Sequence, residues 1–124
     1  MTRMRTAVLV NFGLRSAYGA FMLAAPARVG RPWLGDGAQA AAGEVPLRGV
    51  GGREIALHIA GIVALLRGAR TRPWLIASLG GDLTDIGSTV AARKGLPDGG
   101  LRACLLAGGG SALMTIALIA TAED

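Results

Sequence analysis

Acidic residues and a histidine occur at three- and four-residue spacing inside apolar stretches of the chain. Glu54 and His58 are four residues apart, and Asp82 and Asp85 are three apart. On a helix these offsets place both members of a pair on one face. Carboxyl groups in unequal surroundings can act as acid and base in one reaction. The spacing therefore predicts catalytic roles for Asp82 and Asp85, with Glu54 and His58 as a proton relay.

A second set of polar residues shares these stretches and is predicted to bind a ligand. Asn11, Arg15 and Tyr18 follow one another at offsets of four and three, so they also share a helix face. Arg53 lies near the end of its stretch, where its head group can turn inward as a second cation or reach the membrane surface. The predicted ligand-binding residues are therefore Arg15, Arg53, Asn11 and Tyr18. The last stretch carries a polar series at the same spacing, to which we assign no role: Cys104, Gly108, Ser111 and Thr115.

Four apolar stretches have to position these side chains. They cover residues 6–25, 49–66, 73–92 and 101–121. Each is close to the roughly 20 residues that a helix needs to cross the hydrocarbon core of a bilayer. Four such helices in so short a chain could not all be covered by protein, so their outer faces must meet lipid. We predict an all-α fold, an integral membrane four-helix bundle with a polar centre, in which residues 1–124 form a single four-span domain.

Composition separates this chain from soluble and nucleic-acid-binding proteins. Hydrophobic residues make up 52% of it, charged residues only 17%, and the mean hydropathy is +0.48, whereas soluble domains have about 25% charged residues. The formal net charge is +5, but the arginines form short clusters between apolar stretches, not a basic face with aromatic residues. This pattern predicts contact with the anionic head groups of a lipid bilayer and no nucleic-acid partner.

The chain has one cysteine, Cys104, and one histidine, His58. A single cysteine excludes an internal disulfide, and these two residues cannot build a standard zinc site of several cysteines and histidines. Glycine pairs such as Gly80-Gly81 follow no predicted strand, so they do not indicate a phosphate-binding loop. We therefore expect no cofactor and no metal.

Prolines and small residues predict where the helices end and how they pack. Pro26, Pro32 and Pro46 predict an irregular connection over residues 26–48. The segment 96–100 predicts a tight turn before the last helix. Small residues recur every four positions in the second stretch and predict a ridge for close helix packing: Ala56, Ala60, Ala64 and Gly68.

Five ionisable residues fall at similar depths, close to the middle of a bilayer: Arg15, Glu54, His58, Asp82 and Asp85. An isolated charge there costs at least about 2.5 kcal/mol, so ion pairs are expected. Arg15 can face either aspartate of the third stretch, and Glu54 can face His58 one helical turn away. With Arg53 counted, two cations meet three carboxylates, and a proton, a charged His58 or a ligand has to complete the balance. Alternatively, the same pairs only fix helix register and partner choice.

Two short motifs resemble those of a family of membrane proteins. The segment Arg48-Gly-Val-Gly-Gly-Arg-Glu precedes a helix of small residues, and Gly81-Asp82-Leu-Thr-Asp85 follows in the next helix. Together with Ala25-Pro26 after the first helix, this pattern resembles small four-helix membrane proteins of actinobacteria that are distantly similar to the DoxX-like group. The resemblance implies a four-helix membrane fold and no particular reaction. It also implies an intramembrane signature at Arg53, Glu54, Asp82 and Asp85.

Three functions remain open from the sequence. The first is a membrane-embedded site that binds a lipophilic small molecule, with acid–base chemistry such as epoxide opening, isomerisation or cyclisation. The second is a proton-coupled carrier of small molecules that uses the same carboxylates, as a homo-oligomer. The third is a structural or accessory subunit whose charges bind a partner protein in the membrane. In each case we predict a multi-pass protein of a bacterial-type cytoplasmic (inner) membrane.

Overall fold

The chain is helical over nearly its whole length. The computed structural model describes residues 1–123, so the predicted domain of residues 1–124 extends one residue beyond the described part. Among the described residues there is no strand, and the all-α prediction is confirmed for them. Five α-helices are joined by short connections, two of which form 3₁₀ turns at Gly35–Gln39 and Arg93–Gly95. The α-helices are α1 (Arg3–Ala24), α2 (Pro26–Leu34), α3 (Ala41–Leu66), α4 (Arg72–Ala92) and α5 (Gly100–Thr121).

Three of these helices are long and apolar enough to cross a membrane: α1, α3 and α5. The sequence predicts four spans, and the remaining long helix, α4, has 21 residues. It does not reach the same hydropathy, because Asp82 and Asp85 stand in its middle. Length and composition therefore establish three candidate spans, and α4 is not among them.

The prediction of an irregular connection over residues 26–48 is wrong. That part of the chain contains α2, a 3₁₀ turn and the first two turns of α3. Pro26 occupies the first turn of α2, where a missing backbone N–H costs nothing. Pro32 and Pro46 lie inside helices, and each removes one backbone hydrogen bond, Pro32 near the end of α2 and Pro46 in the second turn of α3. Packing of α2 and the start of α3 in one apolar cluster around Met22 and Leu47 offsets that loss.

Two antiparallel helix pairs form most of the fold: α1 packs closely on α3, and α4 packs closely on α5. In the first pair, Gly19 and Gly51 allow the backbones to approach. A Cβ on Gly19 would lie 2.7 Å from the carbonyl oxygen of Gly51, and a Cβ on Gly51 would lie 2.7 Å from that of Gly19. This close approach matters for the site, because Arg15 and Glu54 each lie one helical turn from these glycines.

The predicted small-residue ridge of α3 does not pack inside the chain. Ala56, Ala60 and Gly68 are exposed. The buried face of the helix carries Glu54 and His58 instead. Ala56 is about 200° around the helix from Glu54, so only one of the two faces can point inward. Charged groups that require partners occupy the inner face, and the ridge therefore points outward.

Apolar side chains pack at both ends of the fold, and polar side chains lie between them. The cluster nearer the chain termini is centred on Phe12, which is fully buried. The cluster at the opposite end is centred on Met22, beneath α2 and the 3₁₀ turn. Arg15 stands on α1 between these two residues, so the site lies between two apolar layers. The layers contain Val8, Phe12, Leu65, Leu75 and Leu118, and Met22, Ala38 and Leu47, respectively.

Candidate functional site

Arg15 lies where four helices meet, and contacts one residue on each of the other three. Its Nε donates to Glu54 Oε2 at 3.1 Å, and its Nη2 donates to Glu54 Oε1 at 3.4 Å. Nη1 and Nη2 donate to the two oxygens of Asp82 at 2.8 and 2.5 Å. Nη1 also donates to Ser111 Oγ at 2.6 Å. We call Arg15, Glu54, Asp82 and Ser111 the central cluster.

The guanidinium of Arg15 has no donor left for a ligand. An arginine offers five N–H donors, and each of them is used in the central cluster. Arg15 is 8% exposed, Glu54 3% and Asp82 5%, so these charges are shielded from surrounding solvent and depend on one another. Arg15 therefore holds the carboxylates in place and does not itself offer a hydrogen bond to a bound molecule.

A second arginine–carboxylate pair lies beside the central cluster and is more open. Arg53 Nη1 and Nη2 donate to the two oxygens of Asp85 at 3.1 and 2.7 Å. Nη2 also donates to Glu54 Oε1 at 3.3 Å, which connects the two groups of charges. The side chains of Arg53 and Asp85 are 33% and 22% exposed. Within the described residues, the buried Nε of Arg53 has no hydrogen-bond partner. We call Arg53 and Asp85 the outer pair.

His58 lies behind Glu54 and is fully buried. Its Nδ1 is 2.7 Å from the backbone carbonyl oxygen of Glu54, and its Nε2 is 2.9 Å from Ser78 Oγ. A carbonyl oxygen can only accept, so Nδ1 carries a hydrogen; Nε2 can then accept from the serine hydroxyl. The neutral ring satisfies both contacts. The carboxylate of Glu54 is 3.5 Å from Nδ1, so the two side chains are neighbours, as their spacing suggests.

A cavity of about 380 Å³ adjoins the charged residues. Its polar side is formed by the central cluster together with Asp85 and Tyr18. Trp33 covers it from α2, where the indole Nε1 donates to Thr89 Oγ1 at 2.9 Å. The remaining walls are mostly apolar: Leu14, Val29, Pro32, Val50, Ala103, Cys104, Ala107 and Gly108. A mostly apolar cavity with a few convergent polar groups is typical of a small-molecule site.

The cavity lies where α1 and α5 stand apart. These two helices hardly touch, although each packs closely on another helix. Leu14 and Tyr18 line the cavity from α1 and are 68% and 44% exposed. Ala107 lines it from α5 and is also exposed. The cavity therefore opens on the side of the molecule, between the apolar outer surfaces of α1 and α5.

The structure brings most of the predicted site residues to this cavity. Tyr18 and all three predicted catalytic carboxylates line it, whereas His58 and Arg53 stand behind its lining. Arg15 pairs with Asp82, and the other aspartate pairs with Arg53. Asn11 is not part of the lining, and its buried Oδ1 has no partner among residues 1–123. In the described part of the chain, no three His, Cys, Asp or Glu side chains are arranged to hold a metal ion.

Sequence reasoning missed two parts of the site. The helical offset of Ser111 from Cys104 predicts that it shares the inward polar face of the last helix, but no role in the site is predicted for it. The wall formed by Val29 and Trp33 had no such signal, because the proline-rich segment is predicted as irregular. Comparison of the chain with family models, with curated proteins and with solved structures gives no match.

Proposed function

We propose that the chain is a four-span protein of a bacterial-type inner membrane that binds a lipophilic small molecule in the cavity beside α1 and α5. The cavity itself is the observation that carries this proposal. It has about 380 Å³ of space, mostly apolar walls and a group of carboxylates on one side. A site of that composition suits a molecule with an apolar body and one polar end. The catalytic roles of Asp82, Asp85, Glu54 and His58 stay predictions.

The contacts of α4 support its assignment as the fourth span. Its two aspartates point inward and are paired with arginines of α1 and α3. Its outward face carries large apolar side chains, with Ile76 57%, Leu83 54% and Val90 40% exposed. Paired charges inside and apolar residues outside are the arrangement that lets a helix with ionisable residues lie in a bilayer.

The number of spans can be tested by the sides on which the two termini lie. Four spans return the chain to its starting side, so reporter domains fused to the N- and C-termini should both be found on the same side of the membrane. Three spans, with α4 outside the bilayer, would place them on opposite sides. That result would refute the four-span proposal.

The lateral opening supports access from the bilayer. The outer faces of α1 and α5 are apolar near the cavity, with Val10 and Phe21 exposed on one helix and Leu106 and Leu113 on the other. Such faces would be covered by lipid tails. A lipophilic molecule dissolved in those tails could therefore reach the site without crossing water. The same geometry does not require a conformational change for the ligand to enter.

The only cysteine provides a test of binding. Cys104 lines the cavity and is 7% exposed, so a lipophilic maleimide reacting with it reports whether the cavity is free. Purified protein in lipid nanodiscs would be treated with N-cyclohexylmaleimide, with and without adamantan-1-ol as a lipophilic probe. We expect the probe to slow alkylation of Cys104. The contrary result is an unchanged rate at every probe concentration below the solubility limit.

Two tryptophan variants distinguish a ligand in the cavity from a general effect of the probe on the bilayer. Ala107→Trp fills the rim of the cavity, whereas Ala117→Trp adds the same side chain on the exposed surface of the same helix, away from the lining. Protection of Cys104 should be lost in the first variant and kept in the second. Equal protection in both would mean that the probe acts through the lipid, and the purely structural role of the charges would then be preferred.

A further inference from the structure

The charges around the cavity do not balance, and their sign identifies the kind of ligand. The central cluster and the outer pair together contain two arginines and the three carboxylates Glu54, Asp82 and Asp85. With all three carboxylates ionised, one negative charge is left over. His58 does not line the cavity, and its neutral ring satisfies both of its short contacts. The excess charge therefore lies on carboxylates that face the cavity.

The groups that face the cavity mostly accept hydrogen bonds. Arg15 has no free donor, and Arg53 stands behind the lining. Each oxygen of Asp82 and Asp85 accepts one hydrogen bond from an arginine. A carboxylate has about four acceptor positions, so about two on each remain for a ligand. A ligand with a carboxylate or phosphate would be repelled by these carboxylates, and no guanidinium in the lining has a free donor to bind it.

We propose that the ligand is a lipophilic amine, bound as its ammonium with the charged end toward Asp82 and Asp85 and the apolar body in the cavity. This inference rests on the function proposed above and specifies its ligand class. An ammonium carries one positive charge and up to three donors, which matches one excess negative charge and several free acceptor positions. Shielding of the carboxylates by the helices strengthens their attraction for the cation.

Two probes of nearly equal shape test the charge. Adamantan-1-amine and adamantan-1-ol share one apolar body, and only the amine is cationic at neutral pH. For each probe, the concentration that halves the rate of Cys104 alkylation would be measured in nanodiscs. We expect the amine to act at a concentration at least about tenfold lower. Equal potency, or greater potency of the alcohol, overturns the amine inference and leaves the proposed binding function standing. Failure of both probes counts against the binding function itself.

Variants of the outer pair change the charge in opposite directions. Asp85→Asn removes the excess negative charge, so the preference for the amine over the alcohol should disappear. Arg53→Gln adds a second excess negative charge, so the preference should increase. Because the two predictions have opposite signs, a loss of folding in one variant leaves the other as a test. Unchanged preference in both would refute the inference.

Asp36→Asn is the matched control for these variants. The carboxylate of Asp36 is 95% exposed and lies in the 3₁₀ turn after α2, outside the cavity lining. This substitution makes the same chemical change and removes the same charge from the protein as Asp85→Asn. We expect it to keep the full preference for the amine. A loss of preference in Asp36→Asn would mean that the net charge of the protein, and not the site, attracts the amine.

Discussion

The two arginine–carboxylate groups of this protein differ in how completely their hydrogen-bonding capacity is used. Arg15 spends all five of its donors on Glu54, Asp82 and Ser111 and is 8% exposed. Arg53 makes three hydrogen bonds, retains a buried Nε without a partner in the described part of the chain, and has a side chain 33% exposed.

This difference separates a structural role from a binding role. A saturated, buried arginine joins four helices, but any ligand that displaced one of its bonds would leave a charge unpaired at a high cost. A partly exposed pair can exchange partners with less loss. We therefore propose that the central cluster stabilises the packing of the helices and that Asp85 of the outer pair binds the ligand. Asp82 belongs to the central cluster and also lines the cavity.

The largest expected effect comes from breaking the central cluster. Arg15→Gln leaves Asp82 without a cation in a buried position, and we expect a loss of about 3–5 kcal/mol in the free energy of unfolding. Thermal unfolding in detergent would measure it as a lower Tm. Adding Asp82→Asn to this variant should restore part of the stability, because the unpaired carboxylate is then neutral. If Arg15→Gln alone were as stable as the original protein, the structural role of the central cluster would be contradicted.

A smaller effect is expected from separating α1 and α3. In Gly51→Ala the new Cβ would lie 2.7 Å from the carbonyl oxygen of Gly19 and 2.9 Å from the backbone nitrogen of Leu23, so the helices must move apart. Such overpacking costs roughly 1–3 kcal/mol. The shift should weaken the Arg15–Glu54 bonds more than the outer pair, which joins α3 to α4.

Gly49→Ala provides the matched control for this prediction. Gly49 lies two residues earlier in α3, and a Cβ there would meet no atom within 4 Å. We expect this variant to unfold at the original temperature or slightly above it, since alanine favours helix more than glycine does. Equal Tm values for the two variants would show that the close approach of α1 and α3 is not needed for stability.

The smallest effect on stability is expected from Asp85→Asn. The Arg53 side chain can move toward the surface when it loses its partner, so we expect a loss of about 1 kcal/mol or less. Asp82→Asn makes the same chemical change in the central cluster and should lower the Tm clearly more. If the two variants have the same Tm, the central cluster does not contribute more to stability than the outer pair.

The sequence was sufficient to predict the helices that carry the charges. The predicted stretches 49–66 and 73–92 lie inside α3 and α4, because apolar length and helical spacing are local properties. The tight turn before the last helix also agrees with the structure, where Gly99 adopts a positive φ of 85° just before α5 begins at Gly100. Only glycine adopts that conformation readily, so the turn could be predicted from residue type.

Prediction failed where packing outweighed local preference. Pro32 and Pro46 predict breaks, yet both lie in helices whose inner faces are buried against the rest of the fold. The ridge of Ala56 and Ala60 has favourable spacing for packing, but it lies opposite the face that contains Glu54. In the first case, burial of the inner helix faces outweighed the tendency of proline to end a helix. In the second, the need of the charged groups for partners determined which face of α3 is buried.

The sequence by itself determined which residues carry charge, that they share helix faces, and that the chain is too apolar for an ordinary soluble domain. It left open which carboxylate each arginine meets, because spacing along a helix says nothing about rotation against its neighbours. Only the tertiary structure decided that Arg15 holds Asp82 and Arg53 holds Asp85. The physical reason is geometric. The Gly19–Gly51 contact brings α1 against α3 one helical turn from Arg15, and the less deeply buried Asp85 accepts two hydrogen bonds from Arg53.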